Sequence, residues 1–160
     1  MYVSLDGTDF RIQEPYHPDG IDTSYYSHKF KAAGLCYEVG LNIRTGDIVW
    51  TYGGLPCGEY SDLKLARVNY VHCVEPYEMT LADDGYKDPT KFIYPAISPN
   101  TNLHQKSNMQ RHETANHKLK EYGVLLQRFR HNKEDHSLCF YAVANLVQIK
   151  IDSGEKLNQV

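Results

Sequence analysis

The chain predicts a single α/β domain built on a central mixed sheet, and three patterns carry that expectation. From Leu35 to Ile43 the residues alternate, with Leu35, Tyr37, Val39, Leu41 and Ile43 on one face and Cys36, Glu38, Gly40 and Asn42 on the other, the period of a β-strand. From His112 to Phe129 the period is helical instead. The stretch from Ser137 to Lys150 is apolar on nearly all sides, which predicts a helix buried against the sheet.

The remaining elements follow in order. Val3 to Leu5 begins a strand that delivers Asp6, and Gly7 and Thr8 lead into a connection rich in Pro and Asp that runs to Asp22. Arg44-Thr45-Gly46-Asp47 reads as a turn, so Ile48 to Tyr52 returns as the second arm of a hairpin. Gly53, Gly54, Pro56 and Gly58 predict a loop ending at Ser61, the N-cap of a helix that carries Leu63, Ala66, Tyr70 and Val74. Glu78 to Ala82 is a short strand closing at Asp83, where Gly85 permits a sharp exit. Phe92 to Ile97 is a fifth strand, and a polar segment from Ser98 to Gln110 precedes the helix at His112. Counting about 100° per residue from Glu113, Ala115, Leu119, Tyr122, Leu126 and Phe129 share one face, while Asn116, His117 and Lys120 lie near Glu113.

Composition narrows the class. At 160 residues, with 41% hydrophobic side chains and 13 tyrosines, there is material for one buried core and no internal repeat or linker. The apolar run from Leu138 to Val147 is interrupted by Asn145 and is too short for the roughly 20 residues that span a bilayer. The first ten residues hold two aspartates and no apolar signal core, so the expected setting is intracellular. The four cysteines form no C-x-x-C pair and read as reduced thiols.

Three carboxylates carry the chemistry. Asp6 and Asp83 each close a short apolar run ahead of a glycine, where a strand is expected to open into a loop, and Glu113 opens the helical pattern. Carboxylate oxygens are the hard ligands that Mg²⁺ and Mn²⁺ prefer, and three of them can hold the paired ions of phosphoryl chemistry. Asp84 is the rival to Asp83. A zinc helix is excluded for HETANH, because His112 and His117 stand five apart where four is needed to share a face. No G-x-S-x-G elbow supports a hydrolase of another kind. Taken singly, Asp-Gly-Thr is common turn chemistry and a Glu/Lys helix face is common solvated surface.

In combination these motifs are distinctive. Asp6-Gly7-Thr8, Asp83-Asp84-Gly85-Tyr86 and Glu113 followed by Leu119-Lys120 resemble the catalytic domain of DDE endonucleases, the Harbinger-type transposases of the ribonuclease-H-like superfamily. Lys29, Pro56-x-Gly58 with Asp62, and Phe129-Arg130-His131 also sit where that family places such residues, so the resemblance covers essentially the whole chain. It implies a ribonuclease-H-like five-stranded mixed sheet flanked by helices, with the first and fourth strands side by side. It implies Asp6, Asp83 and Glu113 as catalytic metal ligands, two Mg²⁺ or Mn²⁺ ions, and hydrolysis of DNA without a covalent protein intermediate.

Charge adds a second expectation. The chain is −3 in all, yet Arg111 to Lys133 holds six basic residues against two acids. Such a stripe suits sequence-independent contact with a DNA backbone, whether transposon ends or plain duplex, with Arg111, Lys118, Lys120 and Arg128 as the candidate contacts. Lys29 reads as a phosphate contact or a surface lysine, and His117 as surface or as a neighbour of the metal. Asp6 lies five residues from Met1, so the DNA-recognition module that such transposases carry upstream is expected to be absent. The leading expectation is a DDE-type endonuclease, nuclear in a eukaryote, with a separate DNA-binding protein and a second copy of the chain as further partners. The alternative is a non-catalytic, transposon-derived protein that keeps the fold.

Overall fold

The protein is described by a computed structural model, which covers residues 3–95, 102–155 and 157. A six-stranded mixed sheet forms its centre. Strand β1 (Val3–Arg11) lies antiparallel to β5 (Ala32–Asn42), with Asp6 opposite Val39 and Gly7 opposite Glu38. On the far side of β5 pair β4 (Tyr26–Ser27), at its start, and β6 (Ile48–Pro56), along its length. On its other side β1 runs parallel to β7 (Thr80–Leu81), which pairs in parallel with β8 (Phe92–Ile93). The first strand is thus a direct neighbour of the strand that precedes Asp83. A separate two-stranded ribbon, β2 (Tyr16–His17) with β3 (Gly20–Ile21), lies outside the sheet.

Helices cover both faces. Helices α1 (Asp62–Val68) and α2 (Tyr70–Cys73) supply Ala66 and Tyr70 to one core, with Leu5, Ala82, Tyr86 and Phe92. Helices α3 (Asn102–Lys120), α4 (Gly123–Leu126) and α5 (Lys133–Asp152) build the larger core with Phe10, Leu35, Tyr37, Val39 and Leu41. Its centre is aromatic: Tyr37 and Phe140 have ring centroids 4.0 Å apart, and the Tyr37 hydroxyl is 2.7 Å from His136 Nδ1. No helix among the described residues is long and apolar enough to cross a membrane. All four cysteines are free thiols, as expected.

Several expectations are corrected. The first strand does not end at Asp6 but continues to Arg11, because Gly7, Thr8 and Asp9 all pair with β5. The second face of β5 is as buried as the first, with Cys36 and Glu38 at 2% and 0% exposure, since helices pack on both sides. Gly53 and Gly54 are not loop but part of β6; both take positive φ, at the irregularity where Cys36 and Tyr37 shift register. Ser61 is the expected N-cap, accepting from the Lys64 amide at 3.4 Å, but the helix breaks at Asn69.

The long helix starts earlier and ends sooner than its periodicity suggests. It begins at Asn102, inside the polar segment that precedes His112, and stops at Lys120. Gly123 then opens a separate short turn, so Leu126 is exposed, while Phe129 leaves the helix altogether and bonds back to the end of β1 through Arg11 O. Helix α5 is not buried all round: Phe140, Val143, Val147 and Ile151 face the core, but Leu138, Leu146 and Ile149 are exposed. The expected fifth strand is seen as Phe92–Ile93, and the positions at 96 and 97 lie outside the described residues, as do those at 98–101.

Candidate active site

The pairing of β1 with β7 is confined to Ser4 and Leu81, and β1 runs on past it. Beside Asp6 the sheet therefore opens into a notch, and charged side chains from four segments enter it.

One wall is α3. Four helical residues advance about 6 Å and two strand residues about 6.7 Å, so positions four apart on a helix can keep step with alternate positions on a strand. Here His112 Nε2 meets Ser4 Oγ at 2.9 Å, Asn116 Nδ2 donates to Asp6 Oδ2 at 3.2 Å, and the Lys120 ammonium lies 5.4 Å from the Phe10 ring centroid. The helix is laid along β1, and Asn116 is the position it presents to Asp6. Burial presses the Lys120 pKa down, against the pull of Asp9 and Asp6.

The other wall brings Asp62 and Asp83. Asp83 follows β7 and accepts the Gly85 amide at 2.7 Å, which fixes the turn out of the strand. Asp62 opens α1, and its carboxylate lies over two glycines: a β-carbon at Gly7 would stand 2.1 Å from Asp62 Oδ1, and one at Gly85 3.1 Å from Oδ2. Lys29 completes the group, with its ammonium 3.7 Å from both Asp62 Oδ1 and Asp9 Oδ1 and donating to Gly7 O at 3.2 Å.

These charges act on one another. Burial raises the Asp6 carboxyl to about 6, Asp83 and then Asp62 add to the rise, and Lys29 opposes it. Asp62 is raised too, by burial first, with Lys29 pulling it back and Asp83 pushing it up. Burial works against the Lys29 ammonium, but Asp62, Asp9, Asp6 and Asp83 together hold it above the ordinary lysine value. The notch therefore gathers four carboxylates, Asp6, Asp9, Asp62 and Asp83, against two lysines, Lys29 and Lys120, a clustering of perturbed charges common in functional clefts.

Beneath the notch lies a fully buried carboxyl. Glu38 has 0% exposure, and neither of its oxygens has a hydrogen-bond partner; the Trp50 indole nitrogen and the Tyr86 hydroxyl are likewise buried and unpartnered. Burial raises Glu38 to about 8, and the Asp62 charge adds to the rise, so it is largely neutral at pH 7.

Of the residues expected from the sequence, Asp6 and Asp83 are brought together. Glu113 is exposed, about 60° around α3 from Asn116. Among the described residues no three His, Cys, Asp or Glu side chains are arranged to hold a metal ion. Asp84 is exposed. Arg111 is turned inward, its guanidinium bonded to Ile43 O, and Lys118 pairs with Glu155 at 3.2 Å. Arg128 is exposed and lines an open groove with Arg11, Arg130 and His131. His117 is a surface residue, 3.5 Å from Glu121 one turn on.

Comparison with protein-family models, with curated proteins and with solved structures returned no match. The site accordingly stands on its own geometry. The sequence motifs single out neither Asn116 nor Glu38, and Asp62 enters them only through Pro56-x-Gly58 with Asp62. The signal for Asp62 was present in the two glycines that follow Asp6 and Asp83, but only the fold reveals that one carboxylate occupies the space beside both.

Proposed function

We propose that this chain is a metal-dependent phosphodiester-cleaving domain acting on DNA, with a ribonuclease-H-like sheet and a DDE-type site. The observation that carries the reading is the approach of Asp83, two residues past the end of β7, to Asp6 on the neighbouring parallel strand, in a notch where carboxylate charge exceeds its lysine counter-charge. The donor set fits a hard divalent ion: Asp6 and Asp83 would hold it through carboxylate oxygens, and its charge would offset the burial and the Asp83 repulsion that raise Asp6. Bound there, Mg²⁺ or Mn²⁺ supplies Lewis acidity toward a phosphoryl oxygen and lowers the pKa of a coordinated water.

The chain's own residues do the rest. Asn116 orients the Asp6 carboxylate, and the Asp83 turn presents its side chain from the end of β7. Lys29 and Lys120 bring positive charge to the edge of the notch, where a phosphate backbone needs neutralising. Arg128, with Arg11 and Arg130, extends that charge along the groove beside α4. Glu113, one turn from Asn116, is the third acid of the reading.

The test is nicking of supercoiled plasmid with Mn²⁺, comparing the wild type with Asp6→Asn, Asp83→Asn and Glu113→Gln. Loss of nicking in all three is the expected result. Equal nicking by wild type and Asp83→Asn overturns the reading.

A second reading, a transposon-derived domain without catalysis, is favoured by the exposed Glu113 and by the absence of a three-ligand group among the described residues. It expects no Mn²⁺-dependent rise in Tm in the wild type. A rise that Glu113→Gln abolishes rejects it.

A further inference from the structure

We infer that Asp62 is a positioning residue of the Asp6–Asp83 site: its carboxylate, seated against the α-carbons of Gly7 and Gly85 and paired with Lys29, sets how the two acid-bearing segments stand to one another. The inference rests on the proposed metal-dependent reading and gives that site a residue the three-acid pattern omits.

The geometry is specific. Gly7 directly follows Asp6, and Gly85 is two residues after Asp83. A β-carbon at Gly7 would fall 2.1 Å from Asp62 Oδ1 and 2.8 Å from its Cγ, distances that real atoms do not reach. At Gly85 the approach is 3.1 Å from Oδ2. At Gly7 only a residue without a side chain lets the carboxylate lie this close, whereas at Gly85 the nearest atom is Asp83 Oδ1 at 2.8 Å and Asp62 adds a tight second contact; neither glycine has positive φ, so both answer to close approach rather than to backbone conformation. Asp62 is held from behind by its place as the first residue of α1, whose N-cap Ser61 accepts the Lys64 amide. On the open side Lys29 joins it to Gly7 O and to Asp9, so the ammonium ties β1 to α1.

Two consequences follow. Removing the Asp62 charge while keeping its shape loosens Lys29 and turns that ammonium toward the remaining carboxylates, where it competes with an incoming cation. Metal affinity then falls while the fold stays intact. Residues that orient metal ligands from the surrounding shell commonly change affinity by about 10–100-fold when replaced. Adding a methyl at Gly7 strikes the Asp62 carboxylate, so the harm done by that methyl depends on whether the carboxylate is there.

The experiment measures Mn²⁺ binding by titration calorimetry and Tm by thermal unfolding for the wild type, Asp83→Asn, Asp62→Asn, Gly7→Ala, Asp62→Ala and the Gly7→Ala/Asp62→Ala double variant. Expected are Mn²⁺ binding that Asp83→Asn abolishes, a loss of about tenfold or more in affinity for Asp62→Asn at near wild-type Tm, and a fall in Tm for Gly7→Ala that shrinks when Asp62 is alanine. Unchanged affinity in Asp62→Asn, with the wild type binding normally, overturns the inference. So does a Gly7→Ala penalty that is the same in both backgrounds, since the carboxylate is then not against Gly7. A wild type without Asp83-dependent Mn²⁺ binding removes the nuclease reading instead, and the Gly7–Asp62 coupling still decides whether Asp62 sits between the two segments.

Discussion

Asn116 donates its side-chain amide to Asp6 Oδ2 at 3.2 Å, from a helix position one turn beyond Glu113. The bond favours the ionised carboxylate against burial and the neighbouring acids that raise it to about 6. Hydrogen bonds to charged groups contribute about 1.5–3 kcal/mol, and one pKa unit corresponds to about 1.4 kcal/mol, so Asn116→Ala should raise Asp6 further by about one unit. Carboxyl ¹³C NMR titration checks this, and an unmoved Asp6 contradicts the bond.

Glu38 makes the protein less stable as the medium becomes alkaline. Its carboxyl ordinarily titrates near 4.5 and here near 8, so between those values the folded chain holds a proton that the unfolded chain releases. Stability therefore falls as pH rises through that window and levels off above it. Glu38→Gln removes this dependence, and at pH 8 it should be more stable than wild type by a few kcal/mol, on the order set by 1.4 kcal/mol per unit. Urea unfolding at pH 5 and pH 8 measures the difference, and parallel losses in both proteins count against a buried neutral Glu38.

His136 acts on the acid side. Fully buried beside Tyr37, it is pushed by burial from 6.5 to about 4, and His112 is lowered to about 4 in the same way. A histidine held neutral contributes stability that is present above 6.5 and lost as pH falls toward 4. Asp6 and Asp62 act in the opposite sense but are common to both proteins compared. The loss in Tm between pH 7 and pH 4.5 should be smaller in His136→Gln than in wild type, although the variant starts lower for want of its full bond to Tyr37. An equal or larger loss rejects the assignment.

The basic residues divide into two kinds. Lys118 is committed to Glu155, whereas Arg128 and Arg130 stand exposed along the groove. Replacing Arg128 or Arg130 by Ala should weaken binding to duplex DNA and reduce the salt slope of log K by about one each. Lys118→Ala should leave that slope unchanged. Fluorescence anisotropy across a salt series separates the cases, and equal effects from all three disprove the division.

Local pattern was legible where a residue's partners are near in sequence. The alternation around Leu35–Leu41, the hairpin return at Ile48 and the Ser61 cap all depend on neighbours within a few positions, and all are present. Failures occurred where a distant element overrides a local signal. Asp6-Gly7-Thr8 has the composition of a turn, yet β5 supplies partners along its whole length and keeps it extended. Tyr122, Leu126 and Phe129 continue the helical period of α3, yet the helix stops at Lys120, Tyr122 is extended, and Phe129 instead bonds to Arg11 and bridges to Ile12.

The site divides in the same way. Periodicity and the spacing of acids picked out Asp6 and Asp83, because each lies where a strand pattern meets a glycine, and the parallel pairing of β1 with β7 brings them together. Sequence by itself therefore determined the α/β class and most of the strands, since these rest on hydrophobic period and turn chemistry over short distances. Only the tertiary structure decided that Asn116 rather than Glu113 meets Asp6, that Asp62 lies against Gly7 and Gly85, and that Glu38 is buried without a partner. Those outcomes depend on how a helix is rotated about its axis and how closely two segments approach, and shifts of a few ångströms in packing leave no periodic trace in the chain.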